Sequence, residues 1–113
     1  MAYIDGFVAS ARDRDAYHNF VSGVAALVKE HGAARVVEAW GDDVPRGERT
    51  DLYRAVAAED GETVVFSWIE WPDKAIRDAG WEKIMADQRM QSDDAPFDMK
   101  RMIFGGFEII VDQ

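Results

Sequence analysis

The chain has no cysteine among its 113 residues. That excludes a disulfide framework, a thiolate nucleophile and a Cys-ligated zinc site, and it fits a cytoplasmic protein. Proline occurs three times and histidine twice, so neither a proline-rich linker nor a His-rich metal tract can be assembled. No apolar run is long enough to cross a bilayer. The first residues, Met1-Ala2-Tyr3-Ile4-Asp5, lack the basic and apolar regions of a secretion signal. Positive charge is also scarce: 13 Lys and Arg stand against 22 Asp and Glu, a net charge of -9. That sign repels phosphate backbones and anionic lipid, so nucleic acid and membrane are not expected partners. With no repeat and no low-complexity stretch, residues 1–113 are expected to form one domain.

What is present is a set of strands and helices with clear periodicities. Tyr3 to Ala9 alternates, with Tyr3, Phe7 and Ala9 on one face and Ile4, Gly6 and Val8 on the other. Asp13 and Asp15 supply acids for the first turn of a helix whose apolar stripe is Tyr17, Phe20, Val21, Val24, Leu27 and Val28. Lys29 and His31 suit its last turn, and Gly32 the left-handed position just beyond. Arg35 to Trp40 is a Val-rich strand, followed by a turn-forming Gly41–Gly47 stretch. Asp51 to Ala58 fits either a short helix or a strand. A strand is preferred, because Glu59-Asp60-Gly61-Glu62 resembles a hairpin turn. Thr63 to Trp71 is the clearest strand, β-branched and aromatic, with Trp68 and Trp71 on opposite faces. Pro72-Asp73 opens a second helix, Asp87 to Pro96 reads as loop, and the segment from Pro96 to Val111 closes the chain as a strand.

The order strand, helix, strand, an extra strand, strand, helix, strand is that of a ferredoxin-like split β-α-β sandwich. The expected class is α+β, with a mainly antiparallel sheet and two helices on one face. The other face should be polar in a monomer. Here it is not: Phe104 and Phe107 point opposite ways, as do the two tryptophans, so large aromatics remain on the helix-free side in either register. Apolar patches of that kind mark interfaces. The expectation is a homodimer packed sheet to sheet, burying on the order of 800 Å² per partner.

Several blocks carry a family resemblance: Tyr3-Ile4-Asp5-Gly6-Phe7-Val8, His31-Gly32-Ala33, Gly41-Asp42-Asp43-Val44-Pro45, Glu62 to Ile69, Met85-Ala86-Asp87 and Lys100 to Phe107. In this order they resemble the DUF1428 family of uncharacterised bacterial proteins. The resemblance implies a dimeric α+β barrel related to the antibiotic-biosynthesis monooxygenase group, and no established activity. Gln88 stands where the family often has proline after the Met-Ala-Asp block, which affects that loop alone.

Candidate chemistry is sparse. Ser67 lies in a strand rather than on a tight strand-to-helix turn, so it is not placed as a nucleophile. Asp42-Asp43 has no ligand set around it and reads as a turn former rather than a metal site; no metal and no cofactor are expected. His31 suits a base or ligand at a cavity edge, but a cation at a helix end is the preferred reading. Arg101 with Glu38, Trp40 and Trp68 forms the remaining constellation: an Arg beside aromatics clamps a carboxylate or a planar ligand, although an Arg–Glu pair across the sheet is preferred. The candidate ligand-binding residues are therefore His31, Glu38, Trp40, Trp68 and Arg101. No catalytic residue stands out, and whether the protein is an enzyme is not decided by its sequence. The leading expectation is a small homodimeric barrel that binds a small molecule or a partner. The alternatives are a cofactor-independent monooxygenase-like enzyme, by analogy of fold, and a structural subunit of an assembly.

Overall fold

The computed structural model describes residues 2–90 and 94–113. Its elements run β1 (Tyr3–Ala11), α1 (Arg14–Glu30), β2 (Arg35–Trp40), α2 (Leu52–Ala55), β3 (Thr63–Trp71), α3 (Lys74–Ala86) and β4 (Ile103–Glu108), with a single 3₁₀ turn at Gln88–Met90. The four strands form one antiparallel sheet in the order β2-β3-β1-β4. No helix among the described residues is long and apolar enough to cross a membrane.

The registers set two faces. Tyr3, Asp5, Phe7, Ala9 and Ala11 of β1 share a side with Val65, Ser67, Ile69 and Trp71 of β3, because Tyr3 pairs with Trp71 and Ala11 with Thr63. This side meets the helices. One buried cluster joins Ala9, Ala11 and Val65 to Tyr17 and Val21 of α1. A second joins Ile69 and Trp71 to Val28 of α1 and Ile84 of α3. Ile4, Gly6, Val8, Phe66 and Trp68 occupy the opposite side, as period-two alternation requires.

The two long helices begin on carboxylate caps. Asp13 accepts from the backbone N–H groups of Asp15 and Ala16, and Asp73 from that of Ile76, which satisfies donors that a helix start leaves open. Helix α1 ends as Gly32 turns to φ +113°. Helix α3 crosses that end at Gly80. A Cβ at this position would lie 2.6 Å from the carbonyl oxygen of His31 and 2.6 Å from the Trp71 ring. The close approach of α3 to α1 and β3 therefore depends on a bare α-carbon.

Two expectations are corrected. Residues 51–58 hold a helical turn, α2, and not a strand. The Asp51 carboxylate accepts from the N–H groups of Arg54 and Gly47 at 2.8 and 3.1 Å, and this local cap outweighs the alternation of Tyr53, Ala55 and Ala57. Ala57 then turns left-handed at φ +49°, which ends the helix. The turn at Glu59–Glu62 exists, with Gly61 at φ +85° and Glu62 N–H donating to the Glu59 carbonyl, but it leads from this helix rather than from a strand. The closing strand is also shorter than its apolar run. Only Ile103–Glu108 pairs with β1. Asp98–Arg101 forms a turn, and Phe97 makes a lone bridge to Ala11. The expected loop at 87–96 includes residues 91–93, which lie outside the described residues.

Candidate functional site

The helix-free face carries large apolar side chains that remain partly exposed. Ile4, Val8, Phe66, Trp68, Ile103 and Phe107 stand on it, and Phe66 and Phe107 are 46% and 55% exposed. At its centre Gly6 of β1 lies directly across from Gly105 of β4. With no side chains there, the Phe107 ring lies along the sheet; Cβ atoms added to the two glycines would sit 3.5 and 3.6 Å from it. The face is thus a flat aromatic platform. Residues 109–112 stand opposite it, and the two together bound an open hollow of about 870 Å³. Polar groups gather at one corner, where Glu70 accepts from Trp68 Nε1 at 2.9 Å and from Arg35 at 3.3 Å.

The sequence candidates fall in different places. Trp68 lies on the open platform. Glu38 and Trp40 lie on the helix side of β2, where the Tyr17 hydroxyl donates to Glu38 at 2.6 Å and the Tyr17 and Trp40 rings stand 5.8 Å apart. Desolvation, then the bond to Glu38, raises the Tyr17 pKa well above its ordinary value; desolvation also raises that of Glu38. His31 caps α1 and meets Asp87 at 3.1 Å. Hydrogen bonds from Arg89, then from His31, hold that carboxylate well below the usual range. Arg101 is paired, but with Glu62 rather than Glu38: its guanidinium donates to both Glu62 oxygens at 2.8 and 2.9 Å. This two-pronged bond is the main cause of a Glu62 pKa near 2; the Ser10 hydroxyl also donates to that carboxylate. The structure thus brings Glu38 and Trp40 together, and leaves His31, Trp68 and Arg101 each in separate surroundings.

The sequence reading missed one centre. Asp5 is 3% exposed, on the helix side of β1. Its carboxylate accepts from the indole N–H groups of Trp71 and Trp81 at 2.9 and 2.8 Å, and from Arg77 at 2.7 Å. A charge buried this deeply is tolerated only with such a set of donors. Arg77 also lies over the Tyr3 ring at 5.2 Å. The centre ties β1, β3 and α3 together, with both carboxylate oxygens hydrogen-bonded, which reads as architecture. The available signal was an acid in an inward position of β1, on the face shared with the inward Trp71 of β3.

Among solved proteins, this arrangement matches the class of dimeric ferredoxin-like proteins. A crystal structure of one from an uncultured marine organism superposes with a TM-score of 0.61 over 99% of this chain and 98% of that one, at 9% identity. A second, from the same kind of source, gives 0.53 over 98% and 97%, at 8% identity. The chain belongs to the family of proteins of unknown function DUF1428, whose model matches residues 2–99. The uncharacterized protein YbaA of Escherichia coli K12 is 52% identical over 117 aligned positions that span all of both chains. The YbaA protein of Shigella flexneri shows the same identity and coverage.

Proposed function

We propose that this chain acts as a homodimer joined through its open sheet faces, and that the seam is a binding site for small apolar or aromatic molecules. The observation that carries the reading is the helix-free face, with Phe66, Trp68, Ile103 and Phe107 presented together on a glycine floor. At about 25 cal/mol per Å² of apolar area, leaving these side chains in water forgoes several kcal/mol that a second copy recovers. Two facing four-stranded sheets make an eight-stranded enclosure, the size that side chains fill or that holds one small ligand. The description of both structural neighbours as dimeric supports a dimer.

Binding is preferred to catalysis on the state of the polar groups. Among the described residues every buried side-chain nitrogen and oxygen has a partner. Asp5 is engaged by three side chains, and Glu62 by Arg101 and Ser10. Such saturated groups favour rigidity over proton transfer.

A thermal-shift series tests the reading. The melting temperature should rise with protein concentration, as it does for a dimer. Indole and medium-chain fatty acids serve as probes; one held at 100 times its dissociation constant adds about 2.7 kcal/mol. A melting temperature independent of concentration, with no response to any probe, contradicts the proposal.

A further inference from the structure

The segment after β4 has no place in its own sheet. Pairing between β1 and β4 stops at Tyr3 and Glu108, and residues 109–113 belong to no regular element. Yet Ile109-Ile110-Val111 is a run of three β-branched residues, the type that packs well on a pleated, half-buried surface. Ile110 is 88% exposed, and the segment stands off the open face as one wall of the hollow. At the far side of the sheet β2 has a free edge, because it pairs with β3 alone. A free edge takes an added strand through its unpaired N–H and C=O groups.

Resting on the face-to-face homodimer proposed above, we propose that residues 109–112 of each protomer add to the partner's β2 edge. Each four-stranded sheet is then extended by a strand of the other copy. Two faces brought together place each projecting segment alongside the opposite sheet, and the chemistry selects the β2 edge. Arg35, at the start of β2, is 64% exposed in its side chain and holds Glu70 only at 3.3 Å. Asp112 supplies a second carboxylate for it. An antiparallel run that sets Asp112 beside Arg35 also sets Ile110 beside Val37, apolar against apolar. On the open face β2 presents Val37 and Ala39, its Trp40 lying on the helix side, whereas β4 presents Phe107 there. The exchange puts the exposed Ile–Ile–Val run under cover and gives the free edge a defined partner.

The absence of cysteine permits a clean test. Ile110→Cys and Val37→Cys are made in separate chains, mixed by unfolding and refolding together, and oxidised, with Ile110→Cys plus Arg14→Cys as the control pair. The expected result is a disulfide-linked product of the 110 and 37 chains, at least tenfold above the control. If light scattering shows dimers but the 110–37 link does not exceed the control, the strand exchange is wrong and the face-to-face dimer stands. If the mixture is monomeric, the dimer reading fails and the exchange with it. Ile110→Asp, at a site too exposed to affect folding, should weaken the dimer at least tenfold; an unchanged dissociation constant overturns the exchange.

Discussion

Gly6 and Gly105 face each other across β1 and β4 at the centre of the open sheet face. The Phe107 ring lies beside both, and a Cβ at either would meet it only at ordinary contact distance, 3.5 and 3.6 Å. Neighbouring glycines do different work, and this separates them experimentally. A Cβ at Gly105 meets Phe107 at 3.6 Å, an ordinary contact, whereas one at Gly106 falls 2.6 Å from the Tyr3 hydroxyl and 2.7 Å from the Arg77 guanidinium. Gly105→Ala should therefore change stability in urea by less than about 0.5 kcal/mol. Gly106→Ala and Gly80→Ala should each cost about 1–3 kcal/mol, as overpacked sites do. Equal effects at 105 and 106 would show that β4 does not lie in this register.

Asp5 organises the helix side of the sheet. Asp5→Asn keeps the shape but leaves Arg77 with only the exposed Asp78 as counter-charge, and replaces an acceptor oxygen by a donor that must face either the indole N–H groups or the guanidinium. The expected loss is about 3 kcal/mol, typical of a buried pair broken from one side. Chemical denaturation reads the loss, and near-ultraviolet circular dichroism should report changed packing of Trp71 and Trp81. A loss under about 1 kcal/mol would mean the carboxylate is not buried as described.

Glu62 makes stability acid-sensitive. Hydrogen bonds from Arg101, foremost, hold its pKa near 2 in the fold, against an ordinary value of 4.5. A depressed carboxylate contributes stability that is complete above the ordinary value and is lost as pH falls through the folded one. The loss attributable to Glu62 therefore lies between pH 4.5 and about 2. Glu62→Gln should flatten the stability profile in that window relative to the parent chain. A variant whose acid limb has the same slope would remove Glu62 from the account.

The sequence made much of this fold legible, for reasons that differ by element. Period-two alternation grouped the residues that share each face of β1 and β3, but which face meets the helices is set by the registers alone. Helix α1 carries an acid cap, an apolar stripe and a terminal glycine, all local signals that agree. Residues 51–58 were ambiguous because four helical residues give too little periodicity; the Asp51 bonds to Gly47 and Arg54 decide them. Asp5 went unseen because its donors lie 66 to 76 residues away, a distance no local pattern spans. Arg101 was recognised as a paired arginine, but its partner Glu62 sits on the turn before β3, a position only the fold reveals.

The most direct measurement is the mass in solution of the parent chain and of Phe66→Asp, by light scattering at micromolar concentration. Phe66 is 46% exposed on the open face, so an aspartate there leaves the core intact and places two like charges at the proposed seam. The account requires about twice 12.7 kDa for the parent chain and a folded monomer for the variant, with unchanged far-ultraviolet circular dichroism. A parent chain at 12.7 kDa, or a variant that stays dimeric, contradicts it.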